Sequence, residues 1–544
     1  MIEDKVISLP HLTNEIVKGA KKTKLCSYSV AIEGWRRGLK LKWYTIDSGK
    51  FDNMITFGIN PPGRLFSLES KDRIHYFFRT RGDKVSNEAV EIGSDKNETK
   101  KWLAKAGVPV PEGAKFGPDH TDDQIVYEAN KLGFPLVLKP IDASLGNGVV
   151  TNIKKEAELR KALDYVRVRL GYQNVMIERY VQGEEYRVYV VGDKAIGAYN
   201  RLPANVIGDG KSTISELIEQ KNAMRMKNAR LFSCLIEIDE ETLDFIQTAG
   251  YTLDSIPIQG EKVLLKEKTN VSAGGDPIDV TDEIPDEMKQ IAINAIKAVP
   301  ELNHGGVDII VDLTRPTLDA VVIELNPTAQ IGGILFPMEG KARDIPSAIV
   351  DYYFPETIGT QTDREKIYFD LNTVLEPLVN RSAQEVEVAP ALVGKIYRRC
   401  YVLKGKVSSA KFHRFIKIEA LKKNLSGFVN KISHDNIEII IAGTNKQDID
   451  GFKKSIRNYD TKIKEIQEGK WPHPVKIGFD IFENFNTDSY KNINSMLKYS
   501  EKELARLKKE HRRLKLKTDS INQSRSFKYA AVLKKVVNGV WKRS

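Results

Sequence analysis

The sequence has few cysteines and no long apolar run. Three cysteines, at positions 26, 234 and 400 of 544 residues, are odd in number and far apart. This pattern argues against a disulfide framework and against a cysteine-rich metal site. No apolar stretch approaches the roughly 20 residues that a membrane-spanning helix needs. The first residues are acidic and do not show the basic and then apolar pattern of a secretory signal, so we expect a cytoplasmic protein.

The excess of positive charge is confined to one end of the chain. Residues 484–544 contain 16 Lys/Arg and 5 Asp/Glu, which accounts for the whole formal net charge of +11. The rest of the chain, which we call the body, is neutral overall. The isoelectric point near 9.1 therefore results from the tail and gives no information on the substrate that the body binds. With 41% hydrophobic residues the body can form several cores.

We divide the chain into five segments by composition and pattern. Residues 1–94 mix apolar stretches with basic clusters, residues 95–356 alternate short Val/Ile strands with helices and glycine loops, and residues 357–393 are interpreted as a linker. The pattern of residues 394–483 predicts a strand at 394–407, a helix at 410–425, a hairpin at 428–442, a helix at 446–458 and a strand at 475–482. This β-α-β-β-α-β order is typical of a ferredoxin-like sandwich. Residues 484–544 form the basic tail, and the fold class that we expect is mixed α+β.

An apolar strand ends in a lysine directly before a loop of small residues. Phe134-Pro-Leu-Val-Leu-Lys139-Pro140 is followed by the glycine-containing loop at residues 141–148. An unpaired buried ammonium is costly, so Lys139 suits a phosphate, which the backbone N–H groups of the loop would also bind. The alternative is an ordinary hairpin turn with a lysine that extends to solvent.

A second pair of strands carries carboxylates at both ends. Residues 175–190 lead from one strand through a turn into another, with Glu178 before the turn and Glu185 after it. Backbone groups of a strand can bind the edge of an adenine, and a carboxylate such as Glu185 can hold ribose hydroxyls. An acidic hairpin exposed to solvent is the alternative.

Polar residues also cluster on two Val/Ile strands that flank a turn at residues 314–319. With this turn centred near its middle, Asp308 falls opposite Leu325, beside Glu324 and Asn326, which strand alternation places on one face. Two carboxylates and an amide oxygen are ligands that Mg²⁺ prefers, and Mg²⁺ commonly bridges nucleotide phosphates. The alternative is a set of unrelated acidic residues on edge strands.

In this order the motifs resemble the ATP-grasp superfamily. They are Asp95-Lys96, Lys139 with its glycine loop, Glu178 to Glu185, Asp308, and Glu324-x-Asn326. The chain is more closely similar to the ligase domains of cyanophycin synthetase and the bifunctional glutathione synthetases, over roughly residues 90–356. The resemblance implies an ATP-grasp fold and an ATP-dependent ligase that joins a carboxylate to an amine.

The resemblance also implies roles for individual residues. Lys96 and Lys139 would contact the phosphates of ATP, together with Ser144, Gly146 and Gly148 of the loop. Glu178, Arg179, Tyr180 and Val181 would line the adenine, and Glu185 would hold the ribose. Asp308, Glu324 and Asn326 would bind Mg²⁺ or Mn²⁺. Arg201 would face the γ-phosphate and the acyl phosphate, and Asn270, Gly274 and Gly275 would bind the acyl-side substrate. Arg201 and Lys139 are therefore the expected catalytic residues.

Two departures from related families qualify this resemblance. D-alanine–D-alanine ligases carry an arginine just before the first metal aspartate, whereas here Gly306-Val307 precede Asp308. We therefore expect Arg201 to supply that cation. The second ATP-using domain of cyanophycin synthetase is absent from the sequence, so we do not expect this protein to make cyanophycin.

Residues 394–483 resemble acylphosphatase in strand order and in the segments 405–413 and 427–430. The arginine that this family needs is replaced by His413, and its asparagine position holds Lys431. Arg414 and Asn430 lie one residue away, and a shift of one residue on a strand reverses the face. We therefore prefer a binding or docking module, with acyl-phosphate hydrolysis as the alternative.

The tail combines an interrupted heptad with a basic amphipathic helix. Apolar residues from position 493 to 514 follow a 4-3-4-3 spacing that Ser500 and His511 interrupt, which predicts a short coiled coil and favours a homo-oligomer. The helix near residues 527–541 suits an anionic membrane surface, and the tail resembles those of bacterial enzymes that build cell-surface polysaccharides. Packing on a partner subunit is the alternative, and no nucleic acid is expected.

The favoured function is an ATP- and Mg²⁺-dependent ligase that acts through an acyl phosphate on an amino acid, a peptide or a cell-envelope polymer. Its carboxylate and amine substrates are small molecules or polymer-linked groups, which the sequence does not identify. We expect it in the cytoplasm, peripherally at the inner face of the membrane. The alternatives are a nucleotide-binding scaffold of an envelope-polymer assembly and an acyl-phosphate hydrolase.

Overall fold

The computed structural model of the chain describes residues 6–141, 147–267, 269–312, 318–433, 435–459 and 463–482. The predicted coiled coil and amphipathic helix of the tail lie outside the described residues. The chain divides into two compact units. The first contains residues 1–397, 443–446 and 472–478, and the second contains residues 398–442, 447–471 and 479–544. Among the described helices, none has the length and apolar character needed to cross a membrane.

The first unit is built from short strands, most of them in antiparallel pairs, and helices of one to four turns. Its strands up to residue 387 are β1 (Val6–Ile7), β2 (Lys40–Tyr44), β3 (Leu65–Glu69), β4 (Ile74–Phe78), β5 (Arg81–Gly82), β6 (Gly113–Phe116), β7 (Leu136–Pro140), β8 (Val150–Ile153), β9 (Val175–Arg179), β10 (Glu184–Val191), β11 (Lys194–Leu202), β12 (Asn205–Ile207), β13 (Lys262–Leu264), β14 (Asp276–Asp279), β15 (His304–Val311), β16 (Val321–Asn326), β17 (Gly340–Lys341), β18 (Ile367–Tyr368) and β19 (Glu385–Glu387). Its helices are α1 (Asn14–Val17), α2 (Lys24–Arg36), α3 (Asn87–Ser94), α4 (Lys96–Lys105), α5 (Asp122–Leu132), α6 (Glu156–Leu163), α7 (Ile214–Lys227), α8 (Glu240–Thr248), α9 (Asp286–Ala298), α10 (Gly332–Leu335), α11 (Ile345–Tyr353) and α12 (Leu371–Val379).

The central sheet of the first unit has the strand order β14-β11-β10-β15-β16, and every neighbouring pair is antiparallel. Along β10 and β15 the residues alternate, so Val188, Val190 and Val307 point to one face. That face packs on α9 through Met288 and Ala292. The opposite face is left for the polar side chains of the same strands.

A second sheet, with the order β6-β9-β7-β8, forms a separate core with α5 and α6. Residues 205–264 make a small insertion in which the antiparallel pair of β12 and β13 packs on α7 and α8, which lie between these strands in the chain. A third sheet, with the order β19-β2-β3-β4-β5, contains the first strands of the chain.

The segment 357–393, which we predicted to be a linker, is built into the first unit. Its strand β19 pairs with β2 at the edge of the third sheet, and Leu371, Leu375 and Leu378 of α12 are buried. The strand has three residues and alternates Glu-Val-Glu, which is too short to give a periodic signal. The predicted domain boundaries themselves stay predictions.

The second unit contains a sheet with two helices. Its elements, with one short strand that belongs to the first unit, are β20 (Tyr397–Gly405), α13 (Ala410–Lys422), β21 (Ser426–Lys431), β22 (Asn436–Gly443), α14 (Lys446–Arg457), β23 (Ile463–Gly469), β24 (Val475–Lys476, which pairs with β18 of the first unit) and β25 (Phe479–Phe482). The sheet order is β23-β20-β22-β21-β25, so the α+β expectation and the β-α-β-β-α-β order are confirmed.

The prediction missed one strand of this unit, and its last predicted strand is longer than the observed one. The strand after α14 is β23, at residues 463–469, and the predicted strand 475–482 is divided into β24 and β25. The division falls at Gly478, whose φ of +88° ends an extended strand. The prediction missed β23 because most of its side chains are polar and exposed, which gives no apolar alternation.

A buried histidine in the central sheet predicts a pH-dependent stability. His304 on β15 lies 3.2 Å from the Tyr189 hydroxyl and 3.1 Å from the Tyr353 hydroxyl. Burial, with a contribution from Arg81, lowers the pKa of His304 to about 3. The folded pKa is below the unfolded value of about 6.5, so this stabilisation is complete above pH 6.5 and is lost as the pH falls toward 3.

We therefore expect the free energy of unfolding to fall between pH 6.5 and 4 by about 1.4 kcal/mol per pH unit from this group alone. Urea unfolding of His304→Gln should show a pH slope that is shallower by about one proton than that of the wild type. His473→Gln, at an exposed position, is the control and should keep the wild-type slope. Equal slopes for the wild type and His304→Gln would contradict the assignment.

Candidate active site

One face of the central sheet carries polar side chains from four adjacent strands. Arg187 of β10 lies opposite Tyr199 of β11 and Asp308 of β15. Asp308 in turn lies opposite Glu324 of β16. Residues directly opposite in antiparallel strands share a face, as do residues two apart on one strand. Glu185, Arg201 and Asn326 therefore belong to the same face, which we call the polar face.

The observed register corrects the predicted one. Asp308 pairs with Glu324 and not with Leu325, and a β-bulge shifts the register between Asp308 and Ile309, because Ile309 pairs with Val322. Ile323 is the extra residue of this bulge. With Leu325 opposite, Asp308 would point away from Glu324, so the bulge is what brings the two carboxylates together. A count from the turn could not reveal an extra residue.

Two arginines hold the Asp308 carboxylate. Arg187 Nε and Nη2 lie 2.5 and 2.6 Å from its two oxygens, and Arg201 Nη2 lies 3.2 and 3.3 Å from them. Burial acts against the charged form of Asp308, which is 1% exposed, but both arginines outweigh this effect and its pKa is lowered. Arg187 was not predicted, although its spacing after Glu185 places it on the same face.

The predicted ribose ligand, Glu185, is engaged within the protein. Arg201 pairs with one of its oxygens, and the Thr269 hydroxyl donates to the other at 2.7 Å. Arg201 therefore bridges Glu185 and Asp308. Burial acts to lower the pKa of Arg201, but Asp308, Tyr199 and Glu185 together outweigh it, so the pKa of Arg201 is raised and its side chain stays charged.

Glu324 is the carboxylate of the polar face for which no hydrogen-bond partner is found among the described residues. Burial and the neighbouring Asp308 charge raise its pKa, while Arg187, Lys96 and Arg201 oppose this shift at longer range. Asn326 Nδ2 lies 3.4 Å from Asp308 Oδ2. Two adjacent carboxylates, one of them with a raised pKa, and an amide oxygen fit a divalent cation.

A divalent cation would have to be held by two carboxylates together with an amide oxygen. Within the described ranges, no cluster of three or more His, Cys, Asp or Glu side chains is placed to hold a metal ion. The assignment of Asp308, Glu324 and Asn326 as metal ligands therefore stays a prediction.

The predicted phosphate-binding lysine lies at the end of β7. Lys139 is 8% exposed, and its Nζ lies 2.5 Å from Glu178 Oε2. Lys100 Nζ lies 3.1 Å from the other oxygen of Glu178. Burial acts against ionised Glu178, but the two lysines outweigh it and lower its pKa. Sequence reasoning missed Lys100, whose signal is its position one helical turn after Lys96.

Helix α4 connects the polar face with this lysine pair. Asp95 caps the helix by accepting hydrogen bonds from the backbone N–H groups of Asn97 and Glu98 at 2.8 and 3.0 Å. Lys96 in its first turn is within electrostatic range of Glu324, and Lys100 reaches Glu178. A small cleft lined by Lys96, Lys100, Glu178 and Ile323, among others, lies between them.

The remaining predicted residues fall at loops and strand ends. Ser144 and Gly146 lie outside the described residues, and Gly148 has a φ of +71° beside Pro140. Arg179 is exposed, whereas Tyr180 and Val181 are half-buried next to the end of β9. Asn270 caps a short 3₁₀ turn, and a Cβ on Gly275 would lie 2.7 Å from the carbonyl oxygen of Leu202. Asn270, Gly274 and Gly275 are thus held next to the strand that carries Arg201.

Comparison with known families agrees with this geometry. A family model described as a RimK-like ATP-grasp domain matches residues 93–238. Residues 93–238 are therefore similar to that family. A model of the acylphosphatase family matches residues 399–481. The ATP-grasp and acylphosphatase resemblances inferred from the sequence are therefore confirmed.

Curated relatives extend the ATP-grasp match. Cyanophycin synthetase of Trichormus variabilis is 36% identical over 282 residues, which are 51% of this chain and 31% of that protein. The glutathione biosynthesis bifunctional protein GshAB of Enterococcus faecalis is 32% identical over 306 residues, which are 54% and 40% of the two chains. The crystal structure of a bifunctional glutathione synthetase from Pasteurella multocida is 31% identical, with a TM-score of 0.45, and covers 54% of this chain and 41% of that chain. The chain thus spans less than half the length of the relatives it matches.

The acylphosphatase-like domain departs from its family at the arginine position. His413 on α13 is 1% exposed, whereas the neighbouring Arg414 is exposed. The Asn430 side-chain oxygen is buried and accepts no hydrogen bond from the described residues. The position at which we expect the guanidinium of this family therefore carries a buried imidazole.

Proposed function

We propose that the first unit is an ATP- and divalent-metal-dependent ligase that forms an amide from a carboxylate and an amine through an acyl phosphate. The observation that carries this proposal is the Asp308–Glu324 pair in register beside Arg187 and Arg201. A carboxylate oxygen attacks the γ-phosphorus and ADP leaves. The amine nitrogen then attacks the acyl carbon, the phosphate leaves, and the amine loses a proton.

The chain's own residues supply positive charge where negative charge accumulates. Lys139 and Lys96 would bind the phosphates of ATP, and Arg201 would face the γ-phosphate and the acyl phosphate. Asp308, Glu324 and Asn326 would hold Mg²⁺ or Mn²⁺, which neutralises phosphate charge when bound. The lysine pair on Glu178 supports this, because the carboxylate orients Lys139 at the end of β7.

The substrates of the proposed reaction are an amino acid, a peptide or a polymer-linked group. Two relatives, a cyanophycin synthetase and a glutathione biosynthesis protein, are the basis for an amino-acid-like substrate. The basic tail is the basis for proposing a site of action at the inner face of the membrane, or in a homo-oligomer.

Phosphate release by the full chain with Mg·ATP and pooled amino acids, with products measured by mass, tests the proposal. We expect release that depends on an amino acid and a product mass equal to that of a condensation. Lys139→Ala should reduce release at least a hundredfold, since it removes a phosphate cation. Lys131→Ala, at an exposed lysine, is the control and should be unchanged. ATP cleavage retained in Lys139→Ala would overturn the site assignment, and an absence of ATP binding in the wild type would favour a scaffold.

A further inference from the structure

Four basic side chains of the first unit form a group without an acidic partner. Lys24, Arg64 and Arg79 come from the first 94 residues, and Arg230 comes from the insertion between β12 and β13. Across the described ranges, no carboxylate forms an ion pair with any of these four residues. We call them the cation group.

The absence of an acidic partner distinguishes these residues from other buried cations of the same unit. Arg187 and Arg225 each hold a carboxylate, at 2.5 and 2.6 Å. Arg230 is 9% exposed, and the hydrogen-bond partners of its guanidinium in the described part of the chain are neutral: Cys234 Sγ at 2.7 Å and Gln330 Oε1 at 3.3 Å. A buried charge that lacks a counter-charge is costly, so an anion that binds there would remove a penalty already present in the folded protein.

Three members of the cation group meet where the loop before β3 contacts the start of α2 and the residue that follows β4. Arg64 Nε donates to Thr23 Oγ1 at 2.8 Å, next to Lys24. The backbone N–H of Arg79 donates to the Arg64 carbonyl oxygen at 2.8 Å. The stem of Lys24 lies against Gly63, where a Cβ would be 3.1 Å from Lys24 Cδ. Burial lowers the pKa of both Lys24 and Arg79, and repulsion from Arg64 adds to this shift in each, although Cys26 opposes it at Arg79.

The guanidinium of Arg79 is fixed before any ligand binds. It lies 4.6 Å from the ring centre of Phe57 and 5.0 Å from that of Phe78, and both rings orient it through cation–π contacts. Its Nε is buried and has no hydrogen-bond partner among the described residues. An oriented guanidinium with an unused donor suits a carboxylate or a phosphate oxygen.

Arg230 and Arg79 both lie near Cys26 of α2. Burial raises the pKa of the Cys26 thiol, and both Arg230 and Arg79 lie close enough to act against this shift. The cation group is also next to the polar face. The Thr80 hydroxyl, which follows Arg79, donates to the Ala329 carbonyl oxygen at 3.1 Å, and a Cβ on Gly306 would lie between Ala329 and Arg187, at 2.9 and 3.4 Å.

We propose that the cation group is a subsite for a second anionic group of the acyl substrate, separate from the carboxylate that is activated at the polar face. The substrate class is therefore an acid with at least two anionic groups, either a polycarboxylate or a phosphorylated carboxylate. The identification of the ligand as the acyl substrate rests on the proposed ligase function. Anion binding at the subsite does not require turnover and can be measured without ATP or metal.

Isothermal titration of the full chain with tricarballylate, and separately with inorganic phosphate, tests the subsite in metal-free buffer. We expect tricarballylate to bind, with an affinity at least tenfold weaker in Arg79→Gln and unchanged within twofold in Lys71→Gln, an exposed control. Arg79→Lys should recover part of the affinity, because it restores the charge but not the planar fork. If phosphate binds more tightly than tricarballylate, the substrate is assigned to the phosphorylated carboxylates. If tricarballylate binds more tightly, the substrate is assigned to the polycarboxylates.

Equal affinity in the wild type, Arg79→Gln and Lys24→Gln, or no binding to the wild type, would overturn the subsite. Binding of a fluorescent ATP analogue reports whether each variant is folded, since the cation group contains no proposed nucleotide ligand. If Arg79→Gln does not bind the analogue, Lys24→Gln decides, because Lys24 is only half-buried. Anion binding that is lost in these variants while the wild type shows no ligase turnover would keep the subsite and reject the proposed function.

Discussion

Replacing Glu324 with glutamine should reduce metal-dependent ATP turnover by about a hundred- to a thousandfold and should not lower the free energy of unfolding. Both results follow from the loss of the negative charge of Glu324. Without a cation, burial and Asp308 both raise the pKa of Glu324, so ionised Glu324 is unfavourable in the folded protein. The neutral amide of the same shape removes this repulsion but cannot replace a charged metal ligand.

Electron paramagnetic resonance of Mn²⁺ with ADP measures the binding step apart from turnover. We expect the wild type to bind Mn²⁺ and Glu324→Gln to bind it at least tenfold more weakly. Glu287→Gln, at an exposed position on α9, is the matched control and should resemble the wild type in both measurements. Equal Mn²⁺ affinity in Glu324→Gln, or a loss of unfolding free energy, would contradict the role assigned to Glu324.

How much of this site could be predicted depended on how far apart its members lie in the sequence. Asp308, Glu324 and Asn326 stand on two consecutive strands, so residue type and order in the sequence were enough to select them, although the predicted register would have turned Asp308 away from Glu324. Their register was wrong by one because a bulge residue, Ile323, carries no local signal. Arg187 was missed because its partner Asp308 is 121 positions away, and an arginine on an alternating strand is equally typical of a solvent-facing position.

The fold shows the same dependence on local pattern. The ferredoxin-like order of the second unit was predictable because β20, β22, α13 and α14 have strong periodicity. Strand β19 and the cation group were not predictable. Strand β19 depends on pairing with β2, which is distant in sequence, and the cation group is assembled from distant parts of the chain. Pairing of Val386 with Trp43 at the edge of the third sheet is set by packing, which one sequence does not display.

Removal of the Arg187 side chain should give the largest loss of stability among substitutions on the polar face. We expect Arg187→Met to lower the free energy of unfolding of the first unit by about 3–5 kcal/mol, because Asp308 would stay buried with one partner fewer. Arg201→Met should cost less, since Arg201 Nη2 lies 3.2 and 3.3 Å from the Asp308 oxygens, whereas both Arg187 contacts are within 2.6 Å. Urea unfolding of both variants measures the difference.

A double-mutant cycle separates a lost ion pair from lost packing. Arg187→Met combined with Asp308→Asn leaves no unpaired carboxylate, so the double variant should be more stable than Arg187→Met alone. The matched control is Arg160→Met, at an exposed arginine paired with Asp123, for which we expect a change within about 0.5 kcal/mol. If Asp308→Asn gave no recovery, the stability loss would come from packing of the Arg187 side chain.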